Sequence, residues 1–499
     1  MTPTSEQQAI IDAAAQPQSL IVNALAGTGK TTTLTMLAKA LPPGPALALA
    51  FNKKIKEELE KRFPSNFTVM TMNGLGHRAW ASTINKKKML IDSNKLGRLT
   101  TEALKPFPDS KPQWGALKTL VIQAMQLGVV PSQFQNARSL IPDTPQVWEE
   151  IDESFSLGLT ADERKLGRRI LIASIEEGFN GCITFDDQIY LPVVFSGSFP
   201  RFPTVLVDEA QDLSPLNHQM LKRVSAGKLI VVGDPRQAIY AFRGADHNSM
   251  ESLKALRSEW IELPLNTTFR CPKNVVYRQH KHAPQYRAAP SAPHGTIRDL
   301  TAEGPWTWPQ VSAGAKGEIA VLCRNNAPLL TMAFKLLRQG VGVNMLGRDI
   351  GRGLSALCKK VSPDLTLSIE PFVVKLTDWF EGESSKAEAN GDASKLDSLT
   401  DRFECIKTVI ENKSPRTVKA LIFELDTLFQ KDNGLVTLAT GHKAKGLEWH
   451  TVVHLDPWRI PSKFAKTPAD QTQEFNLQYV LETRTKDTLI LANLKDFGA

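Results

Sequence analysis

Cysteine is scarce in this 499-residue chain: five residues, Cys182, Cys271, Cys323, Cys358 and Cys405, with no CxxC pair and no histidine at metal-ligand spacing. A disulfide framework and a zinc module are thereby excluded, and a reduced, intracellular setting is expected, cytoplasmic or nucleoid-associated in a bacterium. No uninterrupted apolar run of about 18 residues occurs, so no membrane-spanning helix is expected. The opening MTPTSEQQAIIDAAAQ lacks a basic stretch backed by an apolar one, so no secretory signal is expected either. Neither sign of charge dominates: 60 Lys plus Arg against 52 Asp plus Glu leave a net +8. That mild basic excess suits a polyanionic partner and equally an ordinary basic surface.

What is present is a series of short apolar runs, at 19–23, 46–51, 203–207, 228–233, 318–323, 435–439, 450–455 and 487–492, with helical periodicity between several of them. The alternation predicts α/β architecture with parallel sheets. With 42% hydrophobic residues the chain is too long for one core and should divide into three or four domains. Residues 82–180 read as mostly helical and carry no nucleotide motif, which marks an inserted domain. A second interruption, 361–433, contains ESSKAEANGDASKLDS (383–398), a polar stretch expected to be a mobile linker. Residues 283–315, rich in Pro, Gly and Ala, are expected to form a surface loop.

Three segments carry chemistry. In IVNALAGTGKTTTL (21–34), a strand feeds a Gly-rich turn and then a helix, so that backbone N–H groups and the helix N-terminus surround phosphates. Ala26, Gly27, Thr28, Gly29, Lys30, Thr31 and Thr32 are the nucleotide-binding candidates, Lys30 neutralising charge and the Thr31 hydroxyl meeting Mg²⁺. In TVLVDEAQD (204–212), four apolar residues deliver Asp208 and Glu209 to the C-terminal edge of a sheet. Asp208 is expected to hold Mg²⁺ and Glu209 to orient and deprotonate the attacking water. Alone, the pair would read as a solvated acidic turn; the lysine loop upstream favours catalysis. In VVGDPRQAIYAFRGA (231–245), a Gln, a Tyr, a Phe and an Arg fall within seven positions.

In this order the segments resemble the UvrD/Rep-like branch of superfamily 1 helicases, and AFNK, TFDDQIYLP, FRCP and GRDIGRGL lean toward the F-box DNA helicases and small phage or bacterial relatives. The resemblance implies two RecA-like P-loop motor domains with parallel sheets, each carrying a mostly helical insertion. The first motor would comprise 1–80 plus 181–262 around insertion 81–180, and the second 263–360 plus 434–499 around a short insertion at 361–433. It further implies Gln237 as a γ-phosphate sensor, Arg243 as its link to the DNA side, and Tyr240 and Phe242 as a base-stacking pair.

By the same resemblance, LPLNTTFRCP (263–272) supplies Phe269 for adenine and Arg270 for the γ-phosphate. GLVTLATGHKAKGLEWHTVV (434–453) supplies His442 for DNA and Gly446 and Glu448 for the nucleotide, with Trp449 left to the core. QYVLETRTKDTLIL (478–491) supplies Arg484 as a second arginine finger; a surface salt bridge is the plain alternative for either arginine. Gln7 resembles an adenine-reading glutamine, with Gln8 as its rival and helix capping as the plain alternative. Phe51, Asn52 and Lys53, and Thr71 with Asn73, would face DNA. The implied cofactors are ATP and Mg²⁺, and the implied partners are single-stranded DNA and tailed duplex DNA. The implied activity is ATP-driven translocation and unwinding, 3′ to 5′. A nucleic-acid-stimulated clamp or remodeller without processive unwinding stands beside it, as does a P-loop kinase, against which the two arginines and the GDxxQxIYxFRGA loop argue.

Overall fold

The computed structural model describes the chain except residues 1, 87, 108–112, 156, 240–247, 314, 316, 390–392, 429–435 and 499. Tyr240, Phe242 and Arg243 therefore lie outside the described residues. The chain forms two compact units, residues 1–25 with 29–265, and residues 26–28 with 266–499. Among the described residues no helix is long and apolar enough to cross a membrane.

Unit 1 is built on the strands β1 (Ser19–Ala24), β2 (Ala46–Ala50), β3 (Phe67–Thr71), β6 (Phe202–Val207), β7 (Ser225–Gly233) and β8 (Trp260–Leu265), in the order β3-β2-β6-β7-β1-β8. All five pairings are parallel. Two further short strands, β4 (Leu90–Ile91) and β5 (Cys182–Ile183), pair with each other. Runs such as ALALA and SLIVNA are apolar at nearly every position because both faces are covered. Leu20, Val22, Ala48 and Ile230 pack with Ile10 of helix α1 (Ser5–Ala14) and Leu34 of α2 (Lys30–Ala40). Ile21, Leu47, Val205 and Val231 pack on the other face. Leu59 of α3 (Lys53–Arg62) joins the first core, whereas the second continues through α4 (Met72–Thr83) into four insertion helices, α5 (Lys95–Ala103), α6 (Trp114–Gln126), α7 (Pro145–Ser154) and α8 (Ala161–Phe179). Helices α9 (Asp187–Val194), α10 (Pro215–Val224) and α11 (Ser249–Ser252) complete the unit.

Helices α4 and α9 meet at Gly76, where a Cβ would lie 1.9 Å from the backbone carbonyl oxygen of Gln188. Gly76→Ala is therefore expected to destabilise the protein by on the order of 3 kcal/mol, the upper part of the range for overpacking, because backbone cannot step aside as a side chain can. Thermal unfolding followed by circular dichroism checks this; an unchanged midpoint would mean that the two helices separate at no cost.

Unit 2 holds the second six-stranded parallel sheet. Its short strands β9 (Thr267–Thr268) and β10 (Arg287–Ala288) pair apart from the main sheet. The sheet itself comprises β11 (Thr296–Asp299), β12 (Ile319–Cys323), β13 (Val343–Met345), β14 (Val436–Thr440), β15 (Trp449–Leu455) and β16 (Thr485–Ala492), in the order β11-β16-β15-β12-β14-β13. Its helices begin with α12 (Lys273–Gln279), α13 (Leu300–Glu303), α14 (Trp308–Ser312) and α15 (Asn326–Arg338). Helix α16 (Arg348–Val361) follows β13, and the second insertion then brings α17 (Ile369–Ala389), α18 (Ala393–Lys413) and α19 (Val418–Leu428). The chain then runs through α20 (Gly441–Ala444) and α21 (Pro468–Glu482). The fold is thus α/β with two six-stranded parallel sheets, consistent with two RecA-like domains.

Two sequence expectations are corrected. Residues 283–315 are no surface loop: they supply edge strand β11, paired to β16, and bury Tyr286, Leu300, Trp306 and Trp308. Pro, Gly and Ala there break long periodicity without preventing burial. The polar stretch 383–398 is no mobile linker over its described residues, because it ends one 21-residue helix and begins the next. Its polar residues make specific contacts: Asp397 pairs with Arg324, and Asp401, three residues beyond the stretch, accepts from the backbone N–H groups of Asn326 and Ala327 at the start of α15. Those acceptors satisfy donors that a helix leaves unpaired at its N-terminus.

Candidate nucleotide and nucleic-acid site

A parallel sheet presents all its strand ends at one edge, and in unit 1 that edge collects most of the candidates. Taken along the sheet, β3 leads to Thr71 and Asn73, β2 to Phe51, Asn52 and Lys53, β6 to Asp208 and Glu209, β7 to Gln237, and β1 to Lys30. The residues expected to face DNA therefore occupy one end of the edge and the lysine of the phosphate loop lies toward the other. The carboxylates and Gln237 stand between them.

Lys30 opens α2 behind Gly29, which caps it in the left-handed region, and Thr31 and Thr32 follow in the first turn. The Lys30 ammonium lies 3.4 and 3.5 Å from the carbonyls of Ala24 and Leu25. Gln7, not Gln8, lies beside this helix: its amide donates to Thr33 Oγ1 at 3.0 Å, whereas Gln8 binds Asp12 on the exposed side. Gln7 also forms a capping box with Thr4, the role given above as its plain alternative.

Asp208 is buried, and burial followed by the charge of Glu209 pushes its carboxyl up to about 7, against the pull of Lys30. Glu209 adopts φ 53°, a left-handed conformation that is costly for a side-chain-bearing residue and is maintained only where its surroundings hold it. They do so through a chain of hydrogen bonds. Gln211 Nε2 donates to Glu209 Oε2 at 2.6 Å, the Asp234 N–H donates to Gln211 Oε1 at 2.9 Å, and Gln237 Nε2 donates to Asp234 Oδ2 at 2.7 Å. Asp234, wholly buried and pushed up by burial, is the member that sequence reasoning missed. Its signal was available: like Asp208, it directly follows an apolar strand.

The oxygen donors Asp208 and Thr31 suit Mg²⁺, and a divalent cation would relieve a buried carboxyl crowded by its neighbour. No cluster of three or more His, Cys, Asp or Glu side chains among the described residues could hold a metal alone. Mg²⁺ would therefore share its coordination with phosphate oxygens and water.

At the other end of the edge a cavity of about 350 Å³ is lined by Phe51, Asn73, Phe185, Asp186, Asp208 and Ser214, among others. Phe51 and Phe185 are exposed aromatic rings, and Asn73 Nδ2 donates to the Phe185 carbonyl at 2.8 Å. Asn52 is the N-cap of α3 and Thr71 that of α4, whereas Lys53 projects into solvent. Phe185 was legible only as part of TFDDQIYLP, without an assigned role. Its turn is fixed by buried Asp187, which accepts from Lys95 Nζ at 2.9 Å and from the Thr184 backbone at 2.8 Å.

In unit 2 the candidates divide between the two edges of the sheet. His442 follows the C-terminal end of β14, whereas Glu448 and Arg484 immediately precede β15 and β16, with Trp449 N–H donating to the Arg484 carbonyl at 2.9 Å. The crossover through His442 and the exposed Gly446 to Glu448 thus runs from one edge to the other. Trp449 is buried. Arg484 is 1% exposed and donates to the carbonyls of Val480 and Leu447 at 2.9 and 3.3 Å. Arg484 is buried rather than on the surface, whereas Arg270 Nε pairs with the partly exposed Glu448 at 2.6 Å, the plain alternative given above for it. Burial, and then the neighbouring charge of Arg270, pushes Arg484 down to about 10. Two cations held this close favour an anion beside them.

Phe269 is 58% exposed. Residues 26–28 also group with unit 2: Tyr479 Oη accepts from the Ala26 N–H at 2.8 Å, and Tyr286 Oη donates to its carbonyl at 2.7 Å. Thr28 is buried, and Gly27 has φ 68° with space for no Cβ, which would lie 2.6 Å from Arg270 Cβ. Only glycine meets both conditions.

Two family models match the chain: the UvrD/REP helicase N-terminal domain over residues 186–256 and the UvrD-like helicase C-terminal domain over residues 361–496. The F-box DNA helicase protein 1 of Schizosaccharomyces pombe is 26% identical over 98% of this chain and 57% of its own length. The F-box DNA helicase 1 of Gallus gallus is 24% identical over 98% of the chain and 49% of its own length. This chain therefore spans about half the length of these two relatives. The ATP-dependent DNA helicase PcrA of Bacillus subtilis is 22% identical over 95% of the chain and 81% of its own length. With two parallel six-stranded sheets and matches to models of both domains, the chain is similar to the UvrD/REP family of superfamily 1 helicases.

Proposed function

We propose that the chain is an ATP-driven motor that translocates along single-stranded DNA from 3′ to 5′ and unwinds duplexes carrying a 3′ single-stranded tail. The observation that carries this reading is the hydrogen-bonded chain Glu209–Gln211–Asp234–Gln237, set between the lysine of the phosphate loop and the aromatic cavity on one sheet edge. A change at the γ-phosphate sensed by Gln237 would pass along this chain to the carboxylates. Asp208 and Thr31 hold Mg²⁺, Glu209 takes the proton of the attacking water, and Lys30, Arg270 and Arg484 stabilise charge on the transferring phosphoryl group. Gln7 and Phe269 meet adenine, and Gly446 and Glu448 serve the nucleotide. Phe51, Asn52, Lys53, Thr71, Asn73 and His442 face DNA together with Tyr240 and Phe242, and Arg243 links the two functions.

ATP hydrolysis should rise severalfold on adding single-stranded DNA, and a 3′-tailed duplex should be opened in preference to a 5′-tailed one. ATPase indifferent to DNA would sink the reading in favour of a small-molecule P-loop enzyme. Stimulated hydrolysis without strand displacement or translocation would leave a clamp, and preferential opening of 5′-tailed substrate would reverse the polarity.

A further inference from the structure

Glu482 is fully buried at the end of α21 and accepts hydrogen bonds from three directions. Arg278 reaches it with Nε at 2.9 Å and Nη2 at 3.1 Å, Gln279 Nε2 at 2.6 Å, Gln478 Nε2 at 3.0 Å, and His454 Nδ1 lies 3.4 Å away. Burial alone would push this carboxyl up, but the hydrogen bonds and charges of His454 and Arg278 outweigh it and hold it well below the usual range. It is an ionised group in the interior with donors converging on both oxygens, the condition under which a buried charge is tolerated.

The donors come from segments that each carry a candidate for the nucleotide. Arg278 and Gln279 lie on α12, which follows Arg270; His454 lies on β15, which follows Glu448; Glu482 itself stands two residues before Arg484. Other polar links between the Arg270 segment and the Arg484 segment include those from Arg270 Nη1 and Cys271 Sγ to the Thr483 carbonyl, at 3.4 Å each, and the partly exposed Glu448, which meets Arg270 Nε at 2.6 Å and Lys486 Nζ at 2.7 Å. The two guanidiniums repel one another, and besides Glu448 at the partly exposed side of Arg270 the buried Glu482 cluster ties their backbones together. Apolar packing would fill this space equally well, but it would not fix direction as a bidentate arginine–carboxylate pair does.

We propose that Glu482 is a positioning residue that locks Arg270 and Arg484 into a single rigid pair. This rests on the reading that both arginines act on the γ-phosphate. Glu482 touches no substrate; it acts through the two segments it joins, so its loss should lower turnover more than nucleotide affinity.

The test uses the full chain and measures kcat and KM for ATP with saturating single-stranded DNA, together with the melting temperature. Glu482→Gln should lower kcat by on the order of 10²-fold, the scale of a misplacement of about 1 Å, with KM changed far less. Arg484→Ala should cost much less turnover in the Glu482→Gln background than in the parent, because a misplaced arginine has little left to lose. Glu482→Gln/Arg278→Gln removes both charges, leaves neither buried alone, and should keep the melting temperature while reproducing the turnover loss. A lower melting temperature with unchanged kcat per folded molecule, and an undiminished effect of Arg484→Ala, would overturn the inference and leave Glu482 a structural ion pair. If Arg270→Ala and Arg484→Ala alone leave kcat intact, the underlying reading of the arginines fails first and takes this inference with it.

Discussion

Lys30→Ala should lower ATP turnover by at least on the order of 10²–10³-fold, the loss expected when one preorganised charge-stabilising group is removed, while fold and DNA retention persist. Among the described residues the Lys30 ammonium meets two loop carbonyls, at 3.4 and 3.5 Å, at the long end of hydrogen-bond geometry, which gives the side chain little structural role. Its influence is electrostatic. Lys30 pulls down the carboxyls of both Asp208 and Asp234 against their burial, so its removal leaves two acids more reluctant to ionise where Mg²⁺ is expected. Hydrolysis should consequently fail even where nucleotide is still retained. Steady-state ATPase, thermal melting and single-strand gel retention on the same preparation separate these effects. Turnover near the parent rate would remove Lys30 from the mechanism.

The eight apolar runs read from the sequence all lie on strands of the two sheets, because a parallel strand covered on both faces is apolar at successive positions. The strands that escaped notice lie at sheet edges. β3 (FTVMT) and β13 (VNM) each pair on one side only, and β8 (WIELPL) carries a proline and a glutamate that an edge tolerates. Composition misled in the second insertion for a related reason. Serine, alanine, glutamate and lysine between 383 and 398 look like a solvated linker, yet Asp397 is needed by Arg324, a residue 73 positions away in sequence. Local pattern cannot show a partner at that distance. The insertion is consequently anchored to the sheet it interrupts.

Site residues were legible where a strand end delivers them, as with Lys30, Asp208, Glu209 and Gln237. Those recognised only by motif need a different account. Asn52 and Thr71 cap helices while standing on the edge where DNA contacts are expected. Gln7 does the same beside the phosphate loop. A polar side chain can thus fix a local turn and still stand where a ligand is expected, and sequence alone presents those two roles as rivals. Glu482 shows the opposite limit. An acid inside an otherwise apolar helix end gave no sign of function until its donors on α12 and β15 were placed around it.

Glu209→Gln should lower turnover by on the order of 10²–10⁴-fold, the contribution of a positioned general base, while ATP and DNA are still bound. The substitution is conservative in a way the structure makes specific. Glu209 Oε2 accepts from Gln211 Nε2 at 2.6 Å, and the amide oxygen of a glutamine can take over that acceptance. The chain through Gln211 and Asp234 to Gln237 can therefore stay intact, as can the left-handed backbone at Glu209. What the amide cannot do is receive the proton of the attacking water. The variant also relieves Asp208, whose carboxyl is raised by burial first and by the charge of Glu209 second. Glu209→Ala would break the link to Gln211 as well, and should lose DNA stimulation of whatever hydrolysis remains. The two variants thus separate proton transfer from signalling along the chain. Binding of a fluorescent ATP analogue, single-turnover hydrolysis and the DNA-stimulation ratio decide the matter: a Gln variant that cannot bind nucleotide, or one that turns over at the parent rate, would dismiss Glu209 as the base.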